Sequence, residues 1–156
     1  MQGIWKPKVS PNPQLDFVAG KALPESLQKS SLENFGGKGK YSSPEFIWYQ
    51  EVAPTALKFL NSDKIGKQYR NDLFVGDNNG YLYHFDLNKK RTKLSLTGPL
   101  KDMIANNHIE LKSAIFGKGF GGITDLQVGV DKYLYVLSSK GMIYRVVPDW
   151  NIFHKD

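Results

Sequence analysis

Two stretches of this chain repeat one pattern. "DLFVGDNNGYLYHFDL" (Asp72 to Leu87) and "YLYVLSSKGMIYRVV" (Tyr133 to Val147) each alternate apolar residues, turn at a Gly and alternate again. Leu73, Val75, Gly80, Leu82 and Tyr83 align with Leu134, Val136, Gly141, Ile143 and Tyr144 at a constant offset of 61. A period of two is that of a β-strand, so each copy reads as an antiparallel hairpin. Asn79-Gly80 supplies residues that tolerate the positive φ a tight hairpin demands. The preceding strands align as well: Thr55 with Thr124, Leu57 with Leu126 and Phe59 with Val128. Their offset is longer by eight because "NSDKIGKQYRN" lengthens the connection in the first copy, an insertion of the kind surface loops absorb.

A repeated unit of three or four antiparallel strands is how β-propeller blades are written. In the first copy the inner strand is "TALKFL", followed by "DLFVGD", "GYLYHFDL" and an outer "TKLSLT" (Thr92 to Thr97). "EFIWYQ" reads as the outer strand of the blade before. In the second copy "ITDLQVGV", "YLYVLSS" and "GMIYRVV" are present, and no fourth strand follows. The expected fold is therefore all-β: a partial propeller of about two blades plus an outer strand of a third, over residues 44–148. An irregular, loop-rich segment (1–43) precedes it and a short tail (149–156) follows. One or two short helices are expected, one from Pro24 to about Phe35 and one in "GPLKDMIANNHIELKSAIF", where Asn107 and Glu110 have the spacing of a capping box. Propellers close with roughly four to eight blades. The sequence thus reads as the C-terminal part of a propeller whose remaining blades come from a missing N-terminal part or from another chain.

Composition agrees with short strands and tight turns: aromatics make up 13% of the chain, with 15 Gly and 8 Pro. The absence of Cys excludes disulfides and thiolate metal sites. No apolar run approaches the ~20 residues of a membrane span, and the N-terminus lacks the apolar region of a secretory signal peptide. The net charge of +6 is a modest basic surplus. Its densest cluster, "NKKRTK" (Asn88 to Lys93), reads as an exposed hairpin loop, without the aromatic interleaving of an RNA-binding surface, so no nucleic-acid partner is expected.

The stretches "VAPTALKFLNSDKIGKQYRNDLFVGDNNGYLYHFDL" and "FGGITDLQVGVDKYLYVLSSKGMIYRVV" together resemble the C-terminal region of the glucose/sorbosone dehydrogenase family, over residues 44–148. The matching parts are "APT" before an inner strand, "DLFVGD" with "LYHFDL", and the closing "YLYVLS" with "IYRVVP". The resemblance implies a six-bladed propeller and a parent that oxidises sugar or alcohol hydroxyls with pyrroloquinoline quinone and calcium, outside the cytoplasm or in the periplasm. It places ligands at the mouth of the central channel, among "QEVAPT", "GKGFGGIT", "DNNG" and "SSKG". Thr55 and Thr124, at equivalent starts of inner strands, become the candidate cofactor-binding hydroxyls, against a plain reading as β-branched strand starters.

Two departures limit that expectation. Quinone-using members are expected to carry an Arg-x-Arg pair entering the last blade, because Arg forks hold carboxylates bidentately; here Gly122 and Thr124 stand there. None of His84, His108 and His154 matches the family's catalytic His, so no catalytic residue is assigned, and this part alone is expected to bind no cofactor and oxidise no sugar. The alternative is a non-catalytic propeller binding a glycan or protein partner at its mouth. "GKGFGG" satisfies a dinucleotide motif formally, but a strand follows it where a helix is required. "DNNG" has oxygens suited to calcium but lacks an EF-hand's spacing and distal Glu, and its second copy "SSKG" loses the carboxylate, so a turn is expected and no metal site. Asp125 reads as an exposed strand acid, and Ser138-Ser139 has no base beside it in sequence. Trp5, Trp48 and Trp150 read as packing residues.

Overall fold

The computed structural model describes residues 4–5, 32–33, 44–48 and 52–149. Eleven strands alternate with short helical turns: β1 (Ile4–Trp5), β2 (Leu32–Glu33), β3 (Ile47–Trp48), β4 (Pro54–Phe59), β5 (Leu73–Asp77), β6 (Tyr81–Phe85), β7 (Ile104–Ala105), β8 (Ile115–Lys118), β9 (Ile123–Val128), β10 (Leu134–Ser138) and β11 (Met142–Val146). The described α-helix, α1, is one turn long (His108–Leu111). Among the described residues no helix is long and apolar enough to cross a membrane.

The chain divides into two compact units, residues 1–51 with 96–110, and residues 52–95 with 111–156. In the first, β1 pairs with β2 antiparallel, and β3 pairs with β7 in parallel. In the second, two antiparallel sheets form, one ordered β4-β5-β6-β8 and the other β9-β10-β11. Among the described residues the fold is thus mostly β, largely in antiparallel sheets, with one short α-helix.

The two sheets of the second unit share a core of Leu60, Ile65, Phe74 and Leu82 from the first copy and Ile123, Leu126, Leu134 and Val136 from the second. Each such side chain contributes roughly 1.5–3 kcal/mol when fully buried. Register explains which residues meet there. In the first sheet Phe74 lies opposite His84 and Gly76 opposite Leu82, so one face carries all four. That face packs on the second sheet. A Cβ on Gly76 would come within 2.4 Å of Ile123 Cγ2, so close approach requires glycine at this position. The second sheet turns the opposite set of repeat positions inward: Leu134, Val136 and Ser138 are buried, while Leu137 and Ile143 on its other face are exposed. The inner strands β4 and β9 run side by side in one direction. Thr55 Oγ1 donates to the Ile123 carbonyl, and Lys58 Nζ donates to Gln127 Oε1 at 2.8 Å. The "NSDKIGKQYRN" excursion is tied across as well, through the Ser62 hydroxyl on the Lys132 carbonyl (2.5 Å).

Both hairpins turn where the sequence places them, with Gly80 at φ 84° and Gly141 at φ 76°, the left-handed region that glycine enters without a Cβ clash. The fourth strand differs from expectation. "TKLSLT" folds back on the end of the hairpin, joined by a Leu87–Leu94 bridge, while "NKKRTK" forms an exposed turn with Arg91 at φ 55°. The edge of β6 is taken instead by β8, Ile115–Lys118, which was expected to close a helix. That longer helix does not form. Gly98 and Met103 both adopt positive φ and bound a single 3-10 segment, after which the chain extends into β7. Helix α1 starts at the expected cap, since Asn107 Oδ1 accepts from the Ile109 and Glu110 N–H groups at 2.9 and 3.1 Å. The "EFIWYQ" strand is reduced to β3, with Tyr49 and Gln50 outside the described residues. The helix expected at 24–35 falls mostly outside them too, and the part described, Leu32–Glu33, is strand. Trp150, His154 and the tail from 150 onward also lie outside.

Candidate functional site

The segments expected to form a mouth meet at one end of the paired sheets. The Asn78 N–H donates to the Ala53 carbonyl (3.0 Å), the Gly119 N–H to the Gly80 carbonyl (3.1 Å), and the Ser139 N–H to the Gly122 carbonyl (2.7 Å). The hairpin turn 77–80, the loop 119–122 and the hairpin turn 138–141 are therefore joined by backbone hydrogen bonds. These bonds satisfy groups that would otherwise need water, and they fix the loops relative to β4 and β9.

Thr55 and Thr124 both lie at this end but do different things. The Thr55 hydroxyl is directed at the carbonyls of Ile123 and Gly76, the latter at 3.3 Å, and so links the two inner strands. The Thr124 hydroxyl donates within its own sheet to the Leu137 carbonyl at 3.2 Å, and its residue is exposed. Asp125 is exposed, as expected. Its Oδ1 accepts from the Leu126 N–H (2.8 Å) and its Oδ2 from Gln127 Nε2 (3.3 Å). With the Lys58–Gln127 bond, this makes a polar line of acid, amide and ammonium along the neighbouring inner strands. Sequence reasoning singled out only the first member of that line, because the pairing of Lys58 with Gln127 depends on how the two sheets are set against each other.

The "DNNG" turn holds a buried carboxylate. Asp77 is fully buried, and its two oxygens accept from the Tyr81 N–H (2.8 Å) and the Tyr83 hydroxyl (3.2 Å). Burial, followed by the nearby Asp77 charge, pushes the Tyr83 hydroxyl well above the ordinary tyrosine range, so it stays protonated and donates. Asp77 thus caps its own hairpin from within, and both its oxygens are engaged by the fold. Ser138 at the same repeat position does a smaller version of this, accepting from the Lys140 N–H at 3.2 Å. A turn is what the sequence led us to expect here. The "GKGFGG" loop runs from β8 directly into β9, so a strand follows it, as expected.

Quinone and calcium can be tested against these residues. The resemblance led us to expect a fork of cations at 122 and 124 for a tricarboxylate cofactor. A Cβ on Gly122 would stand 2.8 Å from both Asn78 Oδ1 and Ser139 Oγ, so a side chain there would have to displace these two polar side-chain ends. Thr124 offers a hydroxyl already bonded to Leu137. The fully buried Asp77 turns its oxygens to an N–H and a hydroxyl of its own hairpin. At positions 122 and 124 this chain therefore offers a quinone's carboxylates no cationic side chain.

Two other features escaped the sequence reading. An open apolar cleft of about 650 Å³ is lined by Ile65, Tyr69, Phe116, Val146, Val147 and Pro148, at the end of β11 away from the mouth. The second feature is a cluster at the far end of the first hairpin. Asp72 Oδ2 lies 3.1 Å from His84 Nε2, which lies 3.7 Å from Asp86 Oδ1. Its signal was present as Asp72, His84 and Asp86 in alternating positions, but only the strand register brings them together.

No protein-family model matches the chain, and no curated protein is similar to it.

Proposed function

We propose that the two sheets are adjacent blades from the C-terminal part of a β-propeller of the glucose/sorbosone dehydrogenase type, and that the complete ring acts on sugar or alcohol hydroxyls outside the cytoplasm. The observation that carries this reading is the front-to-back stacking of two copies of one unit. Leu82 is fully buried in the first copy, and its repeat partner Ile143 is 70% exposed in the second. Gly76, pressed on Ile123, corresponds to exposed Leu137. The face that the first sheet covers with a neighbour is thus the face the second sheet leaves open. Head-to-tail contacts of this kind form a ring when the rotation between successive units closes. In this reading, further blades supplied by this polypeptide or another chain cover Leu137 and Ile143, and those blades hold any cofactor and catalytic base. The residues here build wall and mouth.

The test is dye-linked oxidation of aldoses by the ring-complete protein, supplied with pyrroloquinoline quinone and calcium. Turnover with quinone absorbance is expected for the complete ring and none for this chain alone. A complete ring that takes up no quinone contradicts the dehydrogenase reading.

A second reading, a non-catalytic propeller that binds a glycan or a protein at its mouth, is favoured by Gly122 and Thr124, which stand where a cation fork is expected. Saturable glycan binding without turnover, weakened by changing exposed Thr124, would select it.

A further inference from the structure

We propose that Asp72, His84 and Asp86 form a binding site for a divalent transition-metal ion, with zinc the preferred occupant. Three donor atoms, one imidazole nitrogen and two carboxylate oxygens, lie within 4.8 Å of one another. In tetrahedral zinc sites the bonds are about 2.0–2.1 Å, which puts donors roughly 3.3–3.5 Å apart. The two separations from the imidazole nitrogen, 3.1 and 3.7 Å, bracket that spacing, and the carboxylate oxygens, within 4.8 Å of each other, would close on the ion by rotation of the exposed Asp86 side chain. A mixed nitrogen and oxygen set suits zinc and its neighbours better than calcium or magnesium, which take oxygen alone. Three protein ligands leave a fourth position open to solvent.

The strands build this arrangement. His84 and Asp86 are two residues apart, so the period-two backbone sends both to one face. The Leu73–Phe85 pairing sets Asp72, one residue before β5, across from Asp86. Asp72 is held from behind, since its Oδ1 accepts the Leu87 N–H at 3.1 Å and leaves Oδ2 aimed at the imidazole. The His84 ring is boxed by Tyr69, Phe74 and Phe116, with centroids at 5.0, 5.1 and 6.3 Å. Its Nε2 is thereby fixed toward the carboxylates. The Asp72 and His84 side chains are 11% and 17% exposed, whereas Asp86 is 64% exposed and opens the cluster to solvent.

The second copy supplies an independent comparison. Its equivalents are Tyr133, Arg145 and Val147, which hold no set of ligands. Arg145 stands where His84 does, 5.3 Å above the Tyr133 ring and 3.5 Å from Asp131. This position in the repeat carries a permanent cation in one copy. In the other it carries an imidazole between two carboxylates, whose combined charge a divalent ion balances.

The test is calorimetric titration of the metal-free full chain with zinc chloride, with cobalt(II) visible absorption as a second readout. One equivalent of zinc is expected, with a cobalt spectrum of low coordination number. Asp86→Asn, at an exposed position, should weaken zinc by about tenfold or more, in line with the sensitivity of metal sites to their ligand shells. His84→Arg removes the nitrogen ligand and should abolish zinc binding, with circular dichroism checking that the variant keeps its fold. Absence of saturable zinc binding overturns the proposal. So does a His84→Arg variant that binds zinc like the parent, or an Asp86→Asn variant with unchanged affinity.

Discussion

The two sheets of the second unit are copies of one sequence pattern placed in different surroundings, and their differences follow the surroundings. In the first, the face carrying Phe74, Gly76 and Leu82 is closed by a neighbour and packs so tightly that a β-carbon is excluded at Gly76. In the second, the same positions are Tyr135, Leu137 and Ile143, and the last two are exposed. The first hairpin turns on a buried carboxylate, the second on a serine. The first is closed by a fourth strand, while among the described residues the second has three. The shared residues specify strand, turn and register; the residues that differ report what covers each face.

Paired substitutions sharpen this comparison, and the largest contrast is expected at Leu82 and Ile143. Leu82→Ala should cost about 2–5 kcal/mol as a fully buried truncation, whereas Ile143→Ala should stay within about 1 kcal/mol. Urea midpoints of the two variants measure both, and equal losses would break the comparison.

Adding volume tests the same interface from the other side. Gly76→Ala should cost about 1–3 kcal/mol by overpacking against Ile123, while Leu137→Ala at the equivalent position should be nearly silent. Thermal unfolding of the pair reads the difference. A similar contrast is expected at the turns. Asp77→Ala leaves the Tyr81 N–H and the Tyr83 hydroxyl without their acceptor, at about 1–3 kcal/mol, and Ser138→Ala frees a single N–H.

Much of this was legible beforehand, and what was missed has a physical reason. The inner three strands of each copy and both glycine turns could be read because period and turn chemistry are local. Strand β8 could not, because "IFGK" is short and its partner β6 lies some thirty residues earlier in the sequence. "TKLSLT" alternates equally well, but Arg91 in the left-handed region turns it back on the hairpin's end rather than along β6. Over 98–116 the capping spacing of Asn107 and Glu110 suggested a helix; one α-helical turn forms at that cap, and the left-handed Met103 breaks the chain before it. At the candidate mouth the alignment identified Thr55 and Thr124 as equivalents without revealing that one hydroxyl joins two sheets and the other stays within one. The Asp72, His84 and Asp86 cluster needed the register of β5 and β6, which no single strand pattern supplies.

That difference between the threonines makes a smaller prediction. Thr55→Val should cost roughly 1 kcal/mol, the net worth of a part-buried hydrogen bond between the sheets, and Thr124→Val less, since its bond is exposed and lies within one sheet. Chemical denaturation of both variants ranks them, and a reversed order would contradict the assigned roles.

The smallest effect concerns acid. The Tyr135 hydroxyl, bonded to Asp131 Oδ2 at 2.8 Å, holds the Asp131 carboxyl below the ordinary aspartate range, with the Tyr133 N–H and Arg145 adding to it. A lowered folded-state pKa stabilises the protein above the ordinary aspartate range, and that stability disappears as pH falls through the lowered value. A carboxyl-resolved NMR titration should find Asp131 ionising at lower pH than an unperturbed aspartate, and Asp131→Asn should flatten the acid limb of the stability profile. An ordinary titration point for Asp131 would remove this contact from the account.

The front-to-back contact of the two sheets is tested most directly by nuclear Overhauser spectroscopy on the methyl-labelled chain. The account predicts a strong cross-peak between the Gly76 α-protons and the Ile123 Cγ2 methyl, and for the Leu137 methyls cross-peaks within their own sheet only. A missing Gly76–Ile123 cross-peak, or Leu137 methyls packed on the first sheet, would contradict it.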